Sequence, residues 1–307
     1  MIWLGWRQQR AETLVTAAIL AALAALLVPT GLSIASAYHD AGLAQCVGHV
    51  GGDDACGRAV NDFFARFNNL GDLIAWVTIV PGIIGVLFAA PFVLQLEQRT
   101  HRLDWTQSIT RGRWIAGKLG LAVATGLIAA LALTLLLTWW RAPFAHLQGR
   151  MSNSIYDSEG TVVVAYTLFA LGLGLAVGAL WRRAVPAMFA SFAGYFAVRL
   201  FVDTWLRQRL VSPLTATWNA RSHGPALDRA WVLSEHPVDA HGHALNVVLC
   251  PPGADACPAK PGAVQYLQAV YHPESHFWPL QIIETALFAG AAVALIAFAA
   301  WWVRRGD

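Results

Sequence analysis

Three charged residues stand where an apolar chain should carry none. Arg199 and Asp203 lie four apart within the apolar run 184–206, and Glu284 lies about a turn and a half into the run 279–303. An ionised side chain inside hydrocarbon is costly unless it is paired or hydrated, so each is a candidate for lining a path through a membrane. The four-residue spacing also puts Arg199 and Asp203 on one helical face, where they could simply neutralise each other. Glu284 could instead reach toward the nearer interface.

Five histidines, His236, His241, His243, His272 and His276, fall within one long segment. His241-Gly-His243 offers two imidazoles to a transition metal, with His236 nearby. No regular element presents them at a convincing ligand spacing, and a solvated loop accounts for them better, so no metal ligand is assigned. The segment HPESH, residues 272–276, could cap the entry to the last apolar run.

The elements that must position these residues follow from composition. The chain has 307 residues, is 57% hydrophobic and only 13% charged, against about 25% charged in soluble domains. Six runs approach the ~20 residues that a ~30 Å hydrocarbon core requires. They cover 12–36, 73–96, 114–140, 161–181, 184–206 and 279–303. The first is too long for a cleavable signal and is read as a retained span. The expected fold is an all-α polytopic membrane protein, a single transmembrane domain over 1–307. Segments 37–72 and 207–278 form its outer loops, and 97–113 is a cytoplasmic loop. Basic residues set the orientation. With both termini in the cytoplasm, Arg7, Arg10, Arg99, Arg102, Arg111, Arg113, Lys118, Arg182, Arg183, Arg304 and Arg305 lie inside. That makes the inner face roughly fourfold denser in positive charge than the outer loops.

The cysteines agree with this orientation. Cys46 and Cys56 fall in the first outer loop, and Cys250 and Cys257 in the large one. Four cysteines allow about three connectivities, and proximity favours Cys46–Cys56 and Cys250–Cys257, two pairs of free thiols being the alternative. The interfacial candidates Trp3, Trp6, Trp139, Trp140, Trp181, Trp205, Trp278, Trp301 and Trp302 sit near the ends of the runs. Ile2, Trp3 and Trp6 share a helical face beside Arg7 and Arg10. That suits a short helix in the headgroup plane or a plain extension of the first span.

No Walker phosphate loop, nucleophile elbow, His-Glu-x-x-His helix or post-strand glycine fingerprint occurs. The net charge of +3 gives no argument for nucleic acid. The cytoplasmic loop, LEQRTHRLDWTQSITRGRWIAGK from Leu96, gathers Glu97, Arg99, His101, Arg102, Asp104, Trp105, Thr106, Arg111 and Arg113. Mixed charge, hydroxyls and a bulky aromatic could make a docking surface for a partner. An ordinary turn whose basic residues set topology is the competing reading. The length of the loop favours docking, since Trp181–Arg183 makes a turn with far less chain.

This loop, together with the W-R-x-x-R start at Trp6, resembles permease subunits of the ABC-2 type exporters. It is most similar to six-span permeases of actinobacteria that carry an E-x-x-T-H-R-L-x-W-T-Q-S segment. The topological likeness covers the whole chain, and the specific motif is confined to Glu97–Lys118. The resemblance implies a transport permease rather than an enzyme. It implies a second permease chain, as a homodimer, and a separately encoded ABC ATPase subunit that binds ATP and Mg2+. It also implies a coupling helix drawn from Glu97 to Arg113 and a connecting helix from Ile2 to Arg10, in a multi-pass protein of the plasma membrane. The large outer loop departs from the smaller relatives, so substrate is not carried over. A hydrophobic or amphipathic molecule suits the apolar walls. A membrane-embedded enzyme or a sensor with its site in the large outer loop is the alternative.

Overall fold

In a computed structural model of the chain, residues 10–47, 54–98, 110–151, 153–219, 227, 229–239, 241–245 and 266–305 are described. Six helices among them are long and apolar enough to cross a membrane: Arg10–Asp40, Val80–Glu97, Arg111–Gln148, Val162–Trp181, Ala184–Leu210 and Glu274–Arg305. They are numbered here as the first to sixth spans.

The fourth span is the central one, with most of its surface buried between the second and sixth spans. Hydrocarbon gives helices no hydrophobic reason to associate, so close association depends on small residues that let backbones approach. The second and fourth spans meet this way and run parallel. A Cβ added at Gly85 would run into the Thr167 carbonyl and the Ala170 methyl; one at Gly174 would lie 2.6 Å from Ala89, and one at Gly178 would strike Val93. Gly172 faces the other way, toward Ala292 and Leu295 of the sixth span. The three glycines thus serve helix packing on two faces, as their spacing suggests.

The fourth and fifth spans are joined by two residues. Arg182 adopts a left-handed conformation (φ 51°) and donates its N–H to Gly178, ending the fourth span. Arg183 is extended and opens the fifth. That fifth span does not stop near residue 206: after Phe201 it makes a π turn over Val202–Leu206 and continues as Arg207–Leu210.

The segment between the first and second spans, expected as a loop, is largely helical. It holds an amphipathic helix, Ala55–Val77, whose Val60, Phe63 and Phe67 are buried. Phe63 packs edge-on against Tyr38 and beside Phe144. The three- and four-residue spacing of these apolar positions makes one buried stripe. Cys46 and Cys56, at either side of this connection, are bonded, with Cα atoms 5.2 Å apart. Trp140 is not an interfacial anchor. It is buried, stacks on Phe144 and donates its indole N–H to the Thr30 hydroxyl of the first span at 2.9 Å.

The large segment before the sixth span departs from the all-α expectation. It contains a three-stranded antiparallel sheet in the order β1-β3-β2, formed by Leu214–Asn219, Trp231–Val238 and Tyr266–His272. Leu214 pairs with Tyr271, Trp231 pairs with His272, and a bulge interrupts β2 between Val232 and Ser234. Met151, Tyr156, Phe277 and Leu280 form the apolar seat beneath it, with Trp231 packed against them.

Candidate functional site

At the start of the fourth span, the chain between the third and fourth spans meets the ends of the fifth and sixth in a buried cluster of charge. Its centre is Glu284, fully buried in the sixth span. Gln281 and Phe288, one turn to either side, share its helical face. The Glu284 carboxylate accepts two bonds from Arg207, from Nε at 3.0 Å and from Nη2 at 3.1 Å, the fork geometry that suits a guanidinium. It also accepts the hydroxyl protons of Tyr156, at 3.1 Å, and Tyr166. Arg207 extends further, to Asp157 at 2.6 Å and to Asp203. Arg199 pairs with Asp157 at 3.0 Å and lies 3.6 Å from Glu284. Its guanidinium lies 3.8 Å from the ring centre of Tyr166, and that of Arg207 lies 4.4 Å from that of Tyr156.

Gln281 fixes the connection that supplies Tyr156, Asp157 and Glu159. Its amide nitrogen donates to the carbonyls of Tyr156 and Glu159, each at 3.2 Å, and its oxygen accepts Val162 N–H at 3.3 Å. Gly160 makes this approach possible. Its φ is +74°, and a Cβ there would lie 2.6 Å from the Gln281 oxygen.

The charges balance. Asp157, Glu159, Asp203 and Glu284 stand against Arg199, Arg207, Arg150, which lies 3.6 Å from Glu159, and Arg141, buried within reach of the fields of Asp157 and Glu159. Burial pushes the Asp157 carboxyl up, but Arg199 and Arg207 together outweigh it and hold it below the ordinary carboxylate value. Glu159 has weaker partners in Arg150 and Arg141, and burial leaves its carboxyl above the ordinary value.

Arg199, Asp203 and Glu284, read from sequence as candidates for a path, come together here, but not with the expected partners. Arg199 does not take Asp203; it takes Asp157, and Asp203 takes Arg207. The π turn between them is the reason. In a regular helix Arg199 and Arg207 would stand about 80° apart, and the extra residue of a π turn brings them to within about 20°. Glu284 does not reach outward to an interface. Arg207, assigned from sequence to the outer loop, is 1% exposed. Tyr156, Asp157, Glu159, Tyr166, Arg207 and Gln281 were missed. Arg141, Arg150, Asp157 and Glu159, grouped around the connection after the third apolar run, were the available signal.

At the opposite end of the bundle, Glu97 closes the second span and accepts Ala184 N–H at 2.8 Å. Arg111 and Arg113 lie in the first turn of the third span, where Trp114 packs 5.9 Å from Phe92. Arg99, His101, Arg102, Asp104, Trp105 and Thr106 lie outside the described residues, as do Ile2–Gln9 and the pair Cys250 and Cys257. In the sheet segment, Asp239 accepts the N–H groups of His241 and His243, which makes this a turn. His272 is buried, stacks on Trp231 and shares a 3.1 Å Nδ1–Nδ1 contact with His276. Burial lowers the pKa of His272.

An open apolar groove of about 460 Å³ lies between the second and fifth spans, lined by Ile83, Val86, Leu87, Val185, Met188, Phe189 and Phe192. Residues 17–207, more than half of the chain, match a family described as ABC-2 membrane transporter related. No curated protein and no solved structure matches the chain.

Proposed function

The chain belongs to the ABC-2 membrane transporter related family, and from that premise we propose that it is the membrane-spanning subunit of an ABC exporter. The observation that carries the reading is the family match across 17–207, joined to six apolar helices long enough to cross a bilayer. Two copies pair in the plasma membrane. Each binds a separately encoded ATPase subunit, which holds ATP and Mg2+, through residues 97–113. Both termini and that loop face the cytoplasm. The Cys46–Cys56 bond, the sheet and the Cys250 and Cys257 pair then face the oxidising side. The open groove between the second and fifth spans is lined only by apolar side chains, which suits a hydrophobic or amphipathic substrate. The cluster around Glu284 lies at the outer ends of the fourth, fifth and sixth spans, where it ties the three together.

Reconstitution with candidate ABC ATPase subunits from the same genome tests the reading. Proteoliposomes holding both proteins should move a fluorescent phospholipid or a lipophilic dye only with hydrolysable ATP. Arg102→Ala should lower ATP turnover in the complex without impairing membrane insertion. Equal transport by the chain alone, or with an ATPase that cannot hydrolyse ATP, would refute it.

A further inference from the structure

The sheet runs into the sixth span through one corner, His272-Pro-Glu-Ser-His276. His272 is the last residue of β3 and is fully buried, Pro273 follows in an extended conformation, and His276 stands in the first turn of the span. Three parts of the molecule meet on the His272 ring. Trp231 of β2 stacks on it, with ring centres 5.4 Å apart, and the Gln208 carbonyl at the end of the fifth span lies close by. His276 faces it from the sixth span, Nδ1 to Nδ1 at 3.1 Å. Directly after the corner, Phe277 and Leu280 join Met151 and Tyr156 in the seat beneath the sheet.

The contact between the two rings depends on how many protons they hold. Ring nitrogens at this distance bond only when one carries a hydrogen and the other a lone pair. A neutral or singly protonated pair meets that condition. A doubly protonated pair does not, since both facing atoms are then donors on positive rings. The other charged groups on the elements packed here are, among the described residues, engaged elsewhere. Glu274 holds Arg229 at 2.8 Å. Arg150 lies near Glu159 and over the Phe277 ring, and Arg209 lies over Trp205. Arg199 and Arg207 hold Asp157, Asp203 and Glu284, and Tyr156 donates to Glu284. Strand β2 brings Glu235 and His236 only opposite Ala269 and Gln268, and Tyr271 of β3 stands opposite Val232. The ionisable group that acts on His272 is His276. Burial lowers the pKa of His272; the Gln208 carbonyl opposes that shift and His276 adds to it.

We propose that His272 and His276 form an acid-released latch at the corner between the sheet and the sixth span, closed while one Nδ1 donates to the other and open when both rings are charged. Release frees the sheet from its seat on Met151, Tyr156, Phe277 and Leu280. The latch stands apart from the transporter reading and needs no partner subunit. Its direction follows from the depressed folded-state pKa of His272. The latch contributes fully above the unfolded value of 6.5 and is lost as pH falls below it. Carboxylates such as Asp157 titrate lower, so acid opens the corner before it breaks the cluster around Glu284.

Hydrogen exchange of the full chain in detergent, followed by mass spectrometry from about pH 7.5 to about pH 5 and corrected for intrinsic exchange, tests the latch. Peptides covering β2 and β3 should lose protection on acidification, by about tenfold per pH unit below the transition, the slope of one proton. Peptides of the fourth span should keep theirs. His276→Asn sets an uncharged acceptor oxygen beside the His272 ring and should stay protected at the acid end. His276→Gln, equally unable to take a proton, gives the same reading if the Asn variant folds poorly. Glu274→Gln leaves both imidazoles in place and should open as the unchanged chain does. Protection of the unchanged chain that does not move with pH would overturn the latch. So would equal opening of both His276 variants, or loss of opening in Glu274→Gln, which would make Glu274 the titrating group. Opening by a chelator at about pH 7.5 would overturn it too, since a metal ion and not a proton would then hold the two rings.

Discussion

The fourth span is gripped in two chemically opposite ways. Along its length it lies against the second span through Ala170, Gly174 and Gly178 facing Gly85, Ala89 and Val93, an apolar seam with close backbone contact. At its start it meets the fifth and sixth spans through Asp157, Tyr166, Arg199, Arg207 and Glu284, a cluster of ions and hydroxyls. The seam is stabilised by dispersion and depends on nothing being added. The cluster is stabilised by paired charge and depends on nothing being removed. In a bilayer the first suits a contact that keeps its shape, and the second a contact that holds particular helix ends in register.

Additions should break the seam first. Gly85→Val drives a side chain into the Thr167 carbonyl, a backbone atom that cannot turn aside. It should abolish monodisperse protein in detergent, read by size-exclusion chromatography. Gly178→Ala meets both methyls and the Cβ of Val93, a stiff β-branched side chain, and should be partly rescued by Val93→Ala. A Gly85→Val protein as well behaved as the unchanged chain would show that the seam is loose.

Removals should break the cluster next. Arg207→Ala leaves Glu284, Asp157 and Asp203 short of a partner, and breaking a buried ion pair in this way costs about 3–5 kcal/mol. The melting temperature should fall by roughly 10 °C. Arg207→Met combined with Glu284→Leu should lose less than the sum of the two single changes, as a double-mutant cycle on a coupled pair requires. Additive losses would mean that the two residues act separately.

Acid should act on the cluster and spare the seam. The folded-state pKa of Asp157 is depressed, so its contribution is present above the unfolded value of 3.8 and is lost as pH falls through the lower folded value. Stability should drop on acidification below about pH 4, and Asp157→Asn should flatten that drop. Glu159 opposes it. Its raised folded pKa favours the protonated form, so its own contribution weakens as pH rises past the ordinary carboxylate range. The smallest effect belongs to Asp203→Asn. Its side chain is 28% exposed and its ion pair is with Arg207, so the loss should be about 1 kcal/mol or less. A loss as large as that of Arg207→Ala would move the centre of the cluster to Asp203.

The seam was more legible in the sequence than the cluster, for physical reasons. A span announces itself by length and hydropathy, so the six spans could be read directly, and the small residues Gly174 and Gly178, four apart, mark the face that packs closely. The cluster is assembled by contacts that no local pattern encodes. Gln281 orders a connection more than a hundred residues away, and Gly160 permits it. A single π turn changes which residues Arg199 and Asp203 can reach and draws Arg207 inside. Strands β1, β2 and β3 went unrecognised because each is short and set in a Pro-, Gly- and His-rich stretch, with a bulge breaking the alternation in β2. Trp140 looked like an anchor by type and position, and only the Thr30 hydroxyl beside it shows why it turns inward.

The central claim is that a separate ATPase works this permease through residues 97–113. Capture of candidate ABC ATPase subunits from the same genome by affinity-purified chain tests it most directly, with the intact loop and with residues 99–109 replaced by a Gly-Ser linker. Stoichiometric capture by the intact chain and none by the linker variant is the predicted result. Equal capture by both, or capture by neither, would contradict it.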